Sequence, residues 1–309
     1  MPRKRTRRDF TKAALAAAAA GSARVSLEEQ ALLARAAAGQ ADTDTSPARG
    51  SRARVPLGKI GKRKVSRLIC GGNLFSGHAH SRKLIYVSAL MKQYFTPEKI
   101  MDTLQLCEAC GINAAILRCD KHIAGVLRRY RKERGGKIQW IAQTYPKAGD
   151  LTGNIQMAID NGAVGAFVQG GIGDRFVGEG RLDSIGKVLE FTQRNGLVAG
   201  VGSHSLDVPR AVEKAGLDPD FYFKTLNNVA YHSQKPEEIA EVMKPIRKPW
   251  IAFKVLGAGA VKPREGFELA FRMGADFLNV GMFDFQVAED AKIARQVLAS
   301  PKRGRPWRG

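Results

Sequence analysis

The sequence has no run of apolar residues long enough to anchor the chain in a bilayer. A membrane-spanning helix needs about twenty consecutive apolar residues, and the alanine-rich stretch at 13–20 is shorter and only weakly apolar. No other segment approaches that requirement. We therefore expect a soluble mature protein without a stable membrane anchor.

Cysteine is also scarce, with four residues in a chain of 309. Cys107 and Cys110 form a single C-x-x-C on a predicted amphipathic helix, and no second pair is present to complete a zinc site. Cys70 and Cys119 lie at the ends of predicted strands. All four are interpreted as small buried apolar residues.

Acidic residues are few, 29 against 50 Lys and Arg, which gives a net charge of +21. The segments 1–54 and 302–309 contribute +10 of this charge, and we interpret both as lying outside the folded domain. A strongly basic chain raises the question of nucleic-acid binding. However, no basic run alternates with aromatic residues, and the basic stretch at 127–132 is interpreted as the solvated face of a helix. We expect no nucleic-acid partner.

The sequence does contain eight short apolar runs separated by helix-like segments. This alternation, at this length, predicts an α/β fold consisting of a single (β/α)8 TIM barrel. A further helix is predicted over 81–95, above the first barrel strand. The eight predicted strands are Leu68–Cys70, Ala114–Leu117, Ile138–Ala142, Ala166–Val168, Leu197–Ala199, Phe221–Phe223, Trp250–Phe253 and Phe277–Val280.

The N-terminal residues have the pattern of an export signal. Thr6–Lys12 contains adjacent arginines followed by Phe and Lys, an alanine run comes next, and Gly21–Ala23 offers small residues for cleavage. The segment resembles a twin-arginine signal, which implies export of the folded protein by the twin-arginine machinery to the periplasm. The predicted domains are a signal peptide at 1–23, a disordered linker at 24–54, the barrel at 55–300 and a basic tail at 301–309.

Five short motifs occur in the order expected for one family. They are Leu57–Leu68, Cys110–Asn113, Gly200–His204, Asn227–His232 and Leu256–Gly259. Together they resemble the aldo-keto reductases. The resemblance implies a barrel with an N-terminal hairpin across its floor, and an oxidoreductase that uses NAD(P).

The catalytic tetrad of that family is not matched. Aligning the motifs puts Ile116 where the family has Asp and Lys121 where it has Tyr. The third strand ends in Gln143–Tyr145 rather than Lys, and the fourth is followed by Gln169 rather than His. Tyr145 and Lys121 could re-create a proton donor with a cationic neighbour from other strands.

The cofactor motifs are better preserved. By the resemblance, Ser203, His204 and Asn228 occupy positions that hold the nicotinamide carboxamide. Gly257 and Gly259 would let the backbone approach a pyrophosphate, since loops after the last two strands commonly bind phosphate in this fold.

Polar residues after the strands are candidates for chemistry, because a TIM barrel carries its active site on those loops. Asp120, His80, Tyr145 and Lys254 are the candidate catalytic residues. Lys224 and Lys254 could alternatively form a Schiff base with a carbonyl substrate.

The histidines support a second interpretation. All five follow predicted strands, and together with an Asp they resemble the metal ligands of amidohydrolase barrels. A divalent metal would then be bound by His78, His80, His204, His232 and Asp284, in a hydrolase, isomerase or lyase.

The sequence thus favours an exported, aldo-keto reductase-like oxidoreductase that acts on a small carbonyl or sugar-like compound. The alternatives are the metal-dependent enzyme and, because the tetrad is missing, a non-catalytic binding barrel.

Overall fold

The structure is a computed structural model that describes residues 54–78 and 84–309. The predicted signal peptide, the linker up to residue 53 and His80 lie outside the described residues. No helix in the described part of the chain is long and apolar enough to span a bilayer.

The chain enters the fold through a two-stranded antiparallel hairpin of β1 (Leu57–Ile60) and β2 (Arg63–Ser66). Gly61 adopts a φ of 52° in its turn, a conformation that residues with a Cβ seldom adopt. The side chains of Ile60 and Val65 are fully buried against the barrel interior. The hairpin therefore closes the floor of the barrel, as the sequence predicted.

Eight parallel strands follow and close into a barrel in the order β10-β3-β4-β5-β6-β7-β8-β9. Each of the eight predicted apolar runs overlaps one of these strands, and only Ile138 and Leu197 fall one residue outside, which confirms the fold. The strands are β3 (Leu68–Gly71), β4 (Ala114–Arg118), β5 (Gln139–Thr144), β6 (Gly165–Val168), β7 (Val198–Ser203), β8 (Phe221–Thr225), β9 (Trp250–Phe253) and β10 (Phe277–Gly281).

Helices cover the outside of the barrel, and the extra helix predicted over 81–95 is present as the shorter α1, which begins at Val87. The helices of the described residues are α1 (Val87–Tyr94), α2 (Pro97–Ala109), α3 (Lys121–Arg134), α4 (Gly153–Asp160), α5 (Gly170–Gly178), α6 (Leu182–Arg194), α7 (Asp207–Lys214), α8 (Pro236–Met243), α9 (Pro263–Arg272) and α10 (Asp284–Ala299). Short 3-10 turns span Leu74–Ser76 and Gly257–Gly259.

The basic C-terminal segment packs against the barrel instead of extending from it. Arg305 is buried and donates to the carboxylate of Asp276 at 2.7 Å. The ring of Trp307 lies between the guanidinium groups of Arg67 and Arg303, at 3.6 and 3.4 Å. The basic residues of 302–309 were predicted to lie outside the folded domain, but they are part of the fold. The buried carboxylate of Asp276 and the ring of Trp307 attract their guanidinium groups.

Candidate functional site

Polar side chains line the barrel at the carboxyl ends of its strands, which we call the mouth. Deeper in the barrel the inward-facing side chains are apolar, including Ile116 and Ile141. Because side chains alternate along a strand, Arg118 and Gln143, two residues further on, face the same interior. The transition from apolar to polar marks the site.

Arg118 organises one side of the mouth. Its Nη1 donates to the hydroxyl of Tyr145 at 2.8 Å, and its guanidinium carbon lies 4.4 Å from the centre of that ring. The side-chain amide of Gln143 donates to the same hydroxyl. We call Arg118, Gln143 and Tyr145 the Arg118 cluster. With two donors on its oxygen, the Tyr145 hydroxyl retains its own proton for a third partner.

Burial raises the pKa of Tyr145, while the neighbouring Arg118 cation and the hydrogen bond from Gln143 act in the opposite direction. The hydroxyl is therefore protonated at neutral pH. Partial burial, together with Arg118 and Lys92, lowers the pKa of His78, which Asp120 opposes. The electrostatic influence of Arg118 and Asp120 thus extends to His78, in the loop after β3.

Asp120 has a structural duty in addition to its place at the mouth. Its carboxylate accepts from the backbone N–H of Ile123 at 2.9 Å and so caps α3. The other oxygen accepts from Nε of Arg118 at 3.4 Å. Its role in this structure is to begin a helix and to hold Arg118.

The opposite side of the mouth contains a carboxylate–imidazole pair. Nδ1 of His204 lies 2.8 Å from the carboxylate of Asp174 on α5. The same carboxylate accepts from the backbone N–H groups of His204 at 3.0 Å and Ser205 at 2.9 Å. Since Nδ1 faces Asp174, Nε2 is the imidazole nitrogen left to face other groups.

Glycines bring α5 close enough to β7 for this contact. A Cβ at Gly173 would overlap the carbonyl oxygen of Gly202, and a Cβ at Gly170 would lie 3.0 Å from the imidazole of His204. The sequence GGIGD thus allows the first turns of α5 to approach the strand and to present Asp174 to His204.

Aromatic rings form the wall beside His204. The ring of Phe253 lies 5.5 Å from the imidazole and stacks on Phe223 at 4.0 Å. The ring of His232 lies 5.9 Å from that of His204. Nζ of Lys254 lies 4.7 Å from the centre of the Tyr231 ring, on the loop after β8. The wall is thus aromatic, with the rings of His232 and Phe253 inclined to the imidazole of His204 by 57° and 64°.

The residues predicted to bind the cofactor form two groups, one for the nicotinamide and one for the pyrophosphate. Ser203 is buried at the end of β7 next to His204, whereas Asn228 is exposed. The N–H groups of Gly257 and Gly259 each donate at 2.9 Å to a carbonyl of their own turn. These two amides are therefore not free for a pyrophosphate.

The buried neighbour of Asn228 organises the loop after β8. Oδ1 of Asn227 accepts from the N–H of Tyr231 at 2.9 Å, and Nδ2 donates to the Tyr231 carbonyl at the same distance. Nδ2 also lies 3.3 Å from the carbonyl of Lys254. Asn227 thereby ties this loop to the loop after β9.

Among the described residues, the predicted ligands His78, His204, His232 and Asp284 do not form one metal site. The carboxylate of Asp284 accepts from Tyr94 and from Lys99, at 3.0 Å for the latter, between α10 and the first two helices. Partial burial, together with the cations Arg118 and Lys92, lowers the pKa of His78. Within 54–78 and 84–309, no three His, Cys, Asp or Glu side chains are grouped as a metal site needs, so the metal-dependent alternative is not supported.

Lys224 does not present its amine to the barrel interior. It alternates along β8 with Phe221 and Phe223, which belong to the interior cluster, and is fully buried on the other face of the strand. Its Nζ donates to the carbonyl of His204 at 2.8 Å. The Schiff-base interpretation therefore has no support at this residue.

The positions aligned with the family's tetrad have other roles. Ile116 belongs to the apolar interior, and Lys121 is an exposed residue in the first turn of α3. Gln169 caps α5 by accepting from Ile172 at 3.1 Å. The cationic neighbour of Tyr145 is Arg118, not Lys121.

Sequence reasoning missed two residues of this site, Arg118 and Asp174. Arg118 is the last residue of β4 and faces the interior by alternation from Ile116, so strand parity could have identified it. Asp174 lies on a helix, one turn beyond its N-terminus, and only the glycine spacing before it hinted at a close approach to β7.

No protein-family model matches the chain, and no curated protein matches it. Solved structures do. A Pseudomonas aeruginosa protein whose name assigns it to the aldo-keto reductases is 17% identical, with a TM-score of 0.59 over 80% of this chain and 98% of that one. A variant of Gox0644 in complex with NADPH is 10% identical, with a TM-score of 0.53 over 79% and 94%. The Amycolatopsis orientalis BexX/CysO complex contains a chain that is 16% identical, with a TM-score of 0.52 over 82% of this chain and 98% of that one.

At these identities the likeness concerns the fold. The described part of the chain has an aldo-keto reductase-like (β/α)8 barrel.

Proposed function

We propose that this protein is an NAD(P)-linked oxidoreductase that reduces a small carbonyl or sugar-like compound. The observation that carries the proposal is the Arg118 cluster at the mouth of an aldo-keto reductase-like barrel. Carbonyl reduction needs a proton donor beside the hydride acceptor, with a cation to stabilise the donor after the proton has left. Tyr145 and Arg118 have these properties, although neither belongs to the family's tetrad.

The chain's own residues have separate duties in this proposal. Tyr145 donates its hydroxyl proton to the carbonyl oxygen, and Arg118 and Gln143 stabilise the resulting phenolate through the hydrogen bonds they already make. His204 and Phe253 accommodate the nicotinamide ring, with Asp174 fixing the imidazole. When bound, the reduced cofactor supplies the hydride to the carbonyl carbon. That a structural neighbour was solved with NADPH supports this choice of cofactor.

The test is a titration of the full chain with NADPH and NADH, followed by cofactor fluorescence, with turnover assayed against small aldehydes, ketones and keto-sugars. Tyr145→Phe should bind the cofactor as the wild type does and lose about 100-fold or more in kcat, the usual contribution of general acid catalysis. Tyr130→Phe is the matched control, because the Tyr130 hydroxyl makes one hydrogen bond to Glu108 in the outer layer.

Two results would contradict the proposal. Unchanged fluorescence at millimolar cofactor would remove the nicotinamide site. Cofactor binding without turnover of any carbonyl would instead leave the barrel as a binding protein.

Export is a second proposal, and it is supported by the N-terminal sequence alone. Replacing both Arg7 and Arg8 by Lys should retain the protein in the cytoplasm, whereas the wild type should be found in the periplasmic fraction. Equal periplasmic amounts of the two proteins would contradict the twin-arginine route.

A further inference from the structure

Lys224 is a buried amine for which the proposed chemistry has no use. In the described part of the chain its hydrogen bonds go only to neutral oxygens, of which the carbonyl of His204 lies at 2.8 Å, Oγ1 of Thr225 at 2.9 Å and Oε1 of Gln234 at 3.0 Å. Burying an amine that has no hydrogen-bonded carboxylate destabilises the fold, and an apolar side chain of similar length would destabilise it less. The stability of the barrel therefore does not account for a lysine here.

The three acceptors belong to three different pieces of the mouth. His204 follows β7, Thr225 ends β8, and Gln234 lies at the far end of the loop 226–235, just before α8. Lys224 is thus bonded to both the imidazole-bearing segment and the end of the neighbouring loop.

That loop is held in an unfavourable backbone conformation. Ala230 and His232 have φ values of 53° and 48°, a region that residues with a Cβ adopt at a cost. Asn227 anchors the start of the loop through the bonds described above. The end of the loop is anchored by the bond from Lys224 to Gln234.

We propose that Lys224 is a positioning residue that joins the carbonyl of His204 to the end of the loop 226–235, and so holds together the two walls of the nicotinamide site. The identity of the ligand rests on the proposed function, but the fastening of the loop does not. Lys224 acts through His204 and through the loop carrying His232, not by touching the reacting atoms.

Hydrogen exchange of the full chain tests the fastening directly. Gln234→Ala removes the loop-side acceptor and leaves the Lys224–His204 bond in place. Peptides covering 226–235 should then exchange about fivefold to tenfold faster, the equivalent of one hydrogen bond. Lys224→Met should have the same effect on the loop without lowering the midpoint of thermal unfolding, because it also removes the buried amine. Gln193→Ala is the matched control, since that amide makes one bond to the carbonyl of Asp218 at the other end of the barrel.

If the peptides covering 226–235 exchange at the wild-type rate in folded Gln234→Ala, the proposal is overturned. If Lys224→Met does not fold, the result for Gln234→Ala is sufficient to test the proposal. Cofactor titration gives the second readout, in which both variants should weaken NADPH binding by a similar factor while Gln193→Ala does not. A wild type that binds no NADPH would refute the proposed function, and the exchange result would still decide the role of Lys224.

Discussion

At the scale of single residues, the position of His204 depends on one carboxylate. Asp174 accepts from the backbone of His204, from the backbone of Ser205 and, at 2.8 Å, contacts the imidazole itself. An acceptor with three donors fixes both the turn after β7 and the tautomer of the ring. Asp174 is therefore the residue through which α5 controls the mouth.

Asp174→Asn should remove some of these hydrogen bonds and retain others. An amide has one acceptor oxygen in place of two, so at least one of the three donors loses its partner, at a cost of about 1–3 kcal/mol in the free energy of unfolding. Urea unfolding measures that cost, and ¹⁵N NMR of the imidazole should show a changed tautomer. Asp150→Asn is the control, because Asp150 also accepts two backbone N–H groups, at 3.2 and 2.7 Å, but contacts no imidazole. An imidazole spectrum identical to that of the wild type would contradict this role.

We expect Lys224 to make the protein more stable as the pH rises above 7. Burial lowers its pKa from 10.5 to about 7, and Asp174 opposes the shift. Between these two values the unfolded chain binds more protons than the folded one, so this residue makes the protein more stable as pH rises. The free energy of unfolding of the wild type, minus that of Lys224→Met, should therefore increase by about 1.4 kcal/mol for each pH unit above pH 7.

Urea unfolding of both proteins at pH 7, 8 and 9 measures this difference, in which the other titrating groups largely cancel. A difference that stays flat over this range would show that Lys224 has an ordinary pKa in the folded state.

At the scale of elements, the approach of α5 to β7 depends on glycine. Gly173→Ala would place a methyl group against the carbonyl oxygen of Gly202, so the helix must shift away from the strand. We expect a loss of about 1–3 kcal/mol in the free energy of unfolding, typical of an overpacked contact, together with a longer Asp174–His204 contact in a crystal structure.

Gly178→Ala provides the control on the same helix. Apart from its chain neighbours and its own helix backbone, no atom of the described residues lies within 4 Å of the position of a Cβ at Gly178, so this substitution should be neutral or slightly stabilising through helix propensity. Equal effects of the two substitutions would show that propensity, not the contact with β7, determines the result.

The elements themselves could be predicted because their signals are local. Apolar runs indicate strands, and glycines that follow helices, such as Gly196 and Gly274, have positive φ in the structure, the conformation that glycine favours. Asp120 and Tyr145 were recognised as mouth residues because they follow strands. The pairing of Tyr145 with Arg118 was not recognised, since it depends on which side chains face each other across β4 and β5.

The prediction of Asp284 as a metal ligand was wrong because side-chain direction is not a local signal of the sequence. Asp284 follows β10 and looked like a ligand at the mouth, but Tyr94 and Lys99 hold its carboxylate between helices. Burial would raise the pKa of Asp284, and these two partners outweigh it and lower the pKa. A position after a strand predicts nearness to the mouth, but not the direction of the side chain.

At the scale of the whole molecule, the barrel is closed at its floor by the two ends of the described chain. The hairpin of β1 and β2 covers the floor, and the C-terminal segment packs beside it around Asp276. The fully buried carboxylate of Asp276 faces Arg305 at 2.7 Å and Arg303 at 3.4 Å, and accepts from the N–H of Arg308 at 2.8 Å. Burial lowers the pKa of Arg303 to about 10, with Asp276 opposing the shift and the nearby Arg67 and Arg305 reinforcing it.

Asp276→Asn should therefore be severely destabilising. It leaves two buried guanidinium groups without their counter-charge, and breaking a buried ion pair from one side costs about 3–5 kcal/mol. Asp183→Asn is the control, because Asp183 pairs with Lys187 on an exposed helix face, where such a pair contributes about 0–1 kcal/mol. Urea unfolding of the two variants at pH 7 measures both values. If Asp276→Asn cost no more than Asp183→Asn, the C-terminal arginines would be surface charges after all, and the floor of the barrel would depend on the hairpin alone.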